Sequence, residues 1–249
     1  MTTKDLHTHS TYCDGKNTPE EMVRAAVDKG LDTIGVCAHS YSYYDTSYCI
    51  KKEAIPRFLA EMRYLRAAYA DRIHVLCGVE QDYYSDELTD DFDYVIGSVH
   101  YLRCGGDYVP VDETPGILSK AADKYFGGDI YALCEKYFST VADVVNKTGC
   151  DIIGHFDLIS KFTERTDLID LTHPRYIAAW KAAADELLKT GVPFEINMGA
   201  ISRGYRTSPY PGAEIIDYIK AHGGRLVLSS DAHSADAVAY QFDKYETFA

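Results

Sequence analysis

Leu6-His7-Thr8-His9-Ser10, with Asp14-Gly15 close behind, closes the first of seven short apolar runs in this 249-residue chain. The runs are Asp5–His9, Thr33–His39, His74–Glu80, Tyr94–His100, Asp151–His155, Pro193–Asn197 and Arg225–Ser230. Each is brief, often β-branched and nearly continuous in hydrophobicity, as strands covered on both faces are. Amphipathic stretches separate them. Thr18-Pro19-Glu20-Glu21 carries the N-cap, first-turn proline and capping-box glutamate of a helix start, and Gly30 stops that helix. Lys52–Ala70, Ile130–Lys147, Pro174–Leu188 and Pro211–Ala221 repeat apolar residues at helical spacing. Strands alternating with helices predict a parallel α/β fold, first a distorted seven-stranded (βα)7 barrel of TIM type, second an open doubly wound sheet. Residues 1–249 read as one domain. Cys104–Asp129, with its two glycine pairs, reads as a long, partly helical insert after the fourth strand.

Six of the nine histidines, and three carboxylates, fall at one repeated place, the end of an apolar run. They are His7, His9 and Asp14; His39; Glu80; His100; His155; and Asp231 with His233. His7 and His9 are two apart on a strand and point to one face. Asp231 and His233 repeat that geometry if the last strand continues through them. In a parallel barrel all these side chains converge on the C-terminal rim, where barrel enzymes carry their chemistry. Imidazole nitrogen and carboxylate oxygen suit Zn, Mn or Fe. Nine donors exceed the needs of one ion and suit two or three, with Glu80 as the bridge. His74, His173 and His222 lie at a strand start, a helix start and a helix stop, and are assigned to structure or surface.

Composition narrows the function. Lys+Arg 25 against Asp+Glu 38 gives a net charge of −13, which disfavours a polymeric nucleic acid as partner. No run is long and apolar enough for a membrane span, and Met1–Asp5 lacks a leader-like apolar region. Seven irregularly spaced cysteines without a CxxC pair read as free thiols in a reducing cytoplasm.

The HxH at the first strand, the following Asp, then His, Glu, His, His and a closing DxH resemble the signature of the PHP (polymerase and histidinol phosphatase) superfamily over essentially the whole chain. The segments YVIGSVH (94–100), GHFDLI (154–159), Glu195-Ile196-Asn197 and SSDAH (229–233) are similar to its stand-alone histidinol-phosphatases. The resemblance implies a (βα)7 barrel and a trinuclear metal centre. His7, His9, Glu80 and Asp231 would bind one ion, Glu80, His100 and His155 a second, and Asp14, His39 and His233 a third. It implies hydrolysis of L-histidinol phosphate in histidine biosynthesis, with hydroxide generated between the ions attacking phosphorus.

Glu80, Asp231 and His233 are the expected catalytic residues. Arg165 and Arg203 follow strand ends and are the candidates for gripping the substrate phosphate, with Arg206 a third option. Removing Arg203 is expected to weaken phosphate recognition with metal content intact. Asn197 orients a ligand or caps a loop, and Tyr41, Tyr43, Tyr44 and Tyr48 wall the pocket or pack on the surface. The alternative readings are action on a sugar phosphate, nucleotide or other small phosphomonoester, and a metal-stabilised module without turnover. Oligomeric state is left open.

Overall fold

The computed structural model describes residues 3–248, so Met1 and Thr2 of the leader reading lie outside the described residues. In chain order the elements are β1 (Lys4–His9), α1 (Pro19–Asp28), β2 (Thr33–His39), α2 (Ile55–Ala68), β3 (His74–Asp82), β4 (Tyr94–Ser98), β5 (Tyr101–Cys104) and β6 (Asp107–Pro110). Then come α3 (Pro115–Phe126), α4 (Ile130–Val141), α5 (Val144–Thr148), β7 (Ile152–Ile153), α6 (Pro174–Leu188), β8 (Phe194–Asn197), α7 (Gly199–Ser202), α8 (Ala213–Ala221), β9 (Leu226–Ser229) and α9 (Phe242–Tyr245).

Seven strands form one parallel sheet in the order β1-β2-β3-β4-β7-β8-β9. The residues after β9 return to β1. His9 donates its amide to the Ala232 carbonyl at 2.7 Å, and Ala232 donates to the His7 carbonyl at 3.2 Å. The sheet is therefore a nearly closed barrel of the seven-stranded, TIM-like kind expected from the sequence.

Local chemistry sets the helices. Thr18 accepts from the Glu21 amide and the Glu21 side chain accepts from the Thr18 amide, completing the capping box of α1. Met22, Val23 and Ala26 of α1 and Phe58, Met62 and Leu65 of α2 are buried together with Ile34, Val36 and Val75 of the adjoining strands. Truncating such a residue, for example Phe58→Ala, costs about 3–5 kcal/mol.

Inside the barrel, Tyr94 fills the N-terminal end. Its hydroxyl donates to the Leu6 carbonyl at 2.5 Å and lies 3.1 Å from Cys37 Sγ. A Cβ at Gly35 would come within 1.9 Å of the hydroxyl, and one at Gly78 within 2.3 Å of the ring. Neither position has room for a side chain.

The structure differs from the sequence reading in four places. The fifth run shrinks to the two residues of β7, because the chain leaves the sheet at Gly154, packed where a Cβ would meet Ser98 Oγ at 2.3 Å. Ile130–Lys147 is two helices, α4 and α5. An antiparallel hairpin, β5–β6, starts at Tyr101, three residues ahead of the expected insert, and turns at Gly105 and Gly106 at positive φ before α3 begins. Finally, β9 ends at Ser229, so Asp231 and His233 lie beyond the strand rather than on it.

All seven cysteines are unpaired. No helix among the described residues is long and apolar enough to cross a membrane.

Candidate metal centre

The strand ends deliver the predicted residues to one place. His7 and His9 come from β1, Asp14 from the turn after it, His39 from the end of β2 and Glu80 from β3. His100 follows β4, His155 follows β7, and Asp231 and His233 follow β9. Asp231 takes φ +50, a left-handed conformation rare outside glycine, asparagine and aspartate. That turn lets two residues beyond the last strand face the rim without an extended backbone.

Glu80 is the hub. Its Oε2 lies 3.2 Å from His7 Nε2, 3.4 Å from His9 Nε2 and 2.9 Å from His39 Nδ1. Its Oε1 lies 3.3 Å from His100 Nε2 and 2.9 Å from His155 Nε2, and also accepts from Ser98 Oγ at 2.7 Å. Asp231 Oδ1 sits 3.7 Å from His7 Nε2 and 3.5 Å from His9 Nε2. Asp14 faces His39 Nε2 at 3.4 Å and His233 Nε2 at 3.2 Å.

The donor chemistry fits divalent cations. His7 Nε2, His9 Nε2, His39 Nδ1 and Glu80 Oε2 are buried, converge on each other and have no hydrogen-bond partner. An unpaired buried polar atom is costly, and four aimed together mark a place where a cation completes the set. Three overlapping groups have metal-ligand spacing: His9, Asp14, His39 and His233; His7, His9 and Glu80; and His39, Glu80 and His100.

Electrostatics agree. Burial alone would lower the imidazoles, yet Glu195, Glu80 and Asp231 hold His7 well above the usual range. Glu80 and Asp82 raise His100 to about 9 against the same opposing burial. Burial would raise Glu80, but His7, His39 and His100 hold its carboxyl well below the usual range. Asp14, Glu80 and Asp231 are held ionised, and protons on His7, His9, His39 and His100 occupy the role that metal charge fills.

A supporting shell, absent from the sequence reading, fixes these rings. Glu195 Oε1 pairs with His7 Nδ1 at 2.6 Å, and its Oε2 accepts from the His155 amide and from Asn197 Nδ2, each at 3.0 Å. Asp82 Oδ2 accepts from the His100 amide at 3.0 Å and lies 3.3 Å from His100 Nδ1. Asn197 thus orients Glu195, and its Oδ1 also accepts from the Gly199 amide at 2.9 Å. The signal in the sequence was a charge inside an apolar run, as in Phe194-Glu195-Ile196.

A cavity of about 450 Å³ opens from this centre, bordered by Asp14, His39, Glu80, His100, His155, Asp231 and His233. Arg203 and Lys161 line it as well; Lys161 was not anticipated. Arg203 donates to Asp231 Oδ2 at 3.0 Å and lies 2.8 Å from His233 Nδ1, so it is tied to the residues it was expected to act beside. Arg165 does not line the cavity: its guanidinium is spent on the Gly204 carbonyl and the Tyr205 ring. Arg206 is buried and spent on Ser160, Ser208 and Asp157. Of the tyrosines, Tyr48 lines the cavity, Tyr44 stacks on Tyr108 and Tyr43 is exposed. His173 caps α6, His74 opens β3 and His222 ends α8, away from the centre.

A parallel barrel with imidazoles and carboxylates clustered at its C-terminal rim defines the class: a TIM-like barrel protein built around a metal-binding centre. The chain belongs to the PHP domain family, whose model matches residues 5–199. A Deinococcus radiodurans relative named "Probable histidinol-phosphatase" is 28% identical, over 96% of this chain and 89% of its own length. The Bacillus subtilis histidinol-phosphatase is 25% identical over 98% of both chains. Among solved structures, histidinol phosphate phosphatase from Lactococcus lactis, complexed with zinc, L-histidinol and phosphate, superposes with a TM-score of 0.75. It is 21% identical, with 99% of this chain and 92% of that chain covered.

Proposed function

We propose that this chain is a metal-dependent phosphomonoesterase that hydrolyses L-histidinol phosphate to L-histidinol and phosphate. The observation that carries the reading is the set of unpartnered donors around Glu80, opening into a cavity that also holds Arg203. The full-length similarity to proteins named histidinol-phosphatase supports the substrate. Residues 1–249 act as a single PHP-type unit in the cytoplasm.

Two or three divalent ions, Zn, Mn or Fe, would be held by the rim. His7, His9, Glu80 and Asp231 form one set, Glu80, His100 and His155 the second, and Asp14, His39 and His233 the third. When bound, such ions polarise the ester and lower the pKa of water. Glu80 faces donors of all three sets, with His39 at 2.9 Å and His155 at 2.9 Å. Arg203 and Lys161 border the cavity, and their positive charges draw the phosphate oxygens toward the rim. Asp231 is kept ionised against burial by Arg203 and His7, as a carboxylate of the first set must be. His233 holds Asp14 in place from one side of its ring and meets Arg203 on the other. Local cations explain how a chain of net charge −13 receives a dianionic ester.

The test is phosphate release from L-histidinol phosphate by metal-replete and by chelated protein, beside sugar phosphates and nucleotides. Strong preference for L-histidinol phosphate, lost on chelation, is expected. Activity confined to other esters would remove the substrate assignment, and metal-loaded protein inert on every ester would remove the phosphatase reading.

A further inference from the structure

The cavity holds more charge than a phosphate group explains. Its two cations are both engaged, Arg203 with Asp231 and Lys161 with Asp112 at 2.9 Å. Two further carboxylates, Asp45 and Glu113, line the same space. Glu113 is exposed at the edge of this cavity, and no hydrogen bond or ion pair holds it among the described residues.

The insert supplies this wall. The amide of Val111, just past β6, donates to the His100 carbonyl at 2.9 Å. That bond sets Asp112 and Glu113 at a fixed offset from the end of β4. Across the cavity, Tyr101 of β5 donates to Asp45 Oδ2 at 2.5 Å, tying the hairpin to the loop after β2. Tyr101 and Tyr48 present near-parallel rings, their centroids 6.1 Å apart. A carboxylate facing aromatic rings across a cavity attracts a cation into the space between them and rejects an anion.

We infer that the hairpin insert is the specificity element of the site, with Glu113 receiving the protonated amine of the alcohol half of the ester against Tyr48, Tyr101 and Asp45. The inference rests on the phosphatase reading above. It makes the enzyme selective for phosphate esters of amino alcohols over sugar phosphates and nucleotides, whose alcohol portions are neutral or anionic.

The test uses zinc-loaded, full-length protein and two readouts. In calorimetry, L-histidinol binds at least about tenfold more tightly than 4-(3-hydroxypropyl)imidazole, which lacks the amine, because a hydrogen bond to a charged group is worth that much. Glu113→Gln removes most of this preference, and Glu113→Lys reverses it. In kinetics, Glu113→Gln lowers kcat/KM for L-histidinol phosphate by about tenfold more than for phenyl phosphate, chiefly through KM. Full amine preference retained in Glu113→Gln would overturn the inference, as would wild-type protein that binds both alcohols equally. If the wild type hydrolyses no ester, the phosphatase reading fails, and the calorimetric comparison still decides the amine site.

Discussion

Glu195 Oε1 lies 2.6 Å from His7 Nδ1, and the opposite nitrogen of that ring faces Glu80 Oε2 at 3.2 Å. A carboxylate behind an imidazole fixes its tautomer and strengthens it as a ligand. Glu195→Gln is expected to weaken metal binding by about 10–100-fold with the fold retained. Competition against a chelator of known affinity reads this out, and equal affinity in the variant would remove Glu195 from the supporting shell.

Chelation is expected to abolish turnover and lower the thermal midpoint. One ion present at about a thousand times its Kd stabilises the folded state by about 4 kcal/mol. Differential scanning calorimetry with and without chelator checks it; coincident transitions would show that the rim does not hold metal.

In the metal-free protein His9 is raised to about 10 and His100 to about 9, each against opposing burial. Besides burial, the His39 charge opposes the shift at His9, where Cys13 and Asp231 raise it; Glu80 and Asp82 raise His100. Both rings carry protons at neutral pH and must lose them to bind a cation. Loading therefore releases protons, and apparent metal affinity rises with pH up to about pH 9, where His100 loses its proton. Titrations in buffers of different ionisation enthalpy measure the release, and a pH-independent affinity would contradict it.

Arg203→Lys keeps a positive charge but loses the fork that meets Asp231 and His233 together. A loss of about 10–100-fold in kcat/KM is expected, mainly in KM for the phosphate ester. Because Arg203 anchors Asp231, Arg203→Ala is expected to lower metal content as well, contrary to what its loop position alone suggests. Metal analysis of both variants beside steady-state kinetics separates the two effects.

Gly199 stands where a Cβ would meet Asp231 Oδ2 at 2.4 Å and Arg203 Nη2 at 2.6 Å. Gly199→Ala is expected to push these groups apart, cutting activity at least about tenfold while costing about 1–3 kcal/mol of stability. Wild-type kcat/KM in this variant would show that the Arg203–Asp231 pairing is dispensable.

The barrel was legible because its strands are apolar on both faces and α1, α3, α4 and α6 carry their own caps. Pro174–Leu188 and Thr33–His39 match the structure residue for residue. The chemistry-bearing strand ends were legible because histidine is scarce and its placement repeats. The short fifth strand was not, since register with neighbours rather than composition ends β7 at Ile153. The β5–β6 hairpin was missed although Gly105-Gly106 is a two-residue turn signal, because its strands have four residues each and little alternation. Glu195 and Asp82 were missed for another reason. A carboxylate's role behind a histidine depends on which strand lies beside which, and that is a property of the closed sheet.

Tyr94, wedged against Gly35 and Gly78, corks the barrel from below. With that end filled, ions, ester, alcohol and phosphate would all use the rim cavity bordered by Glu80 and Arg203. Phosphate lodged there would stand between solvent and ions held by the rim, so a chelator is expected to strip the idle enzyme faster than one saturated with product.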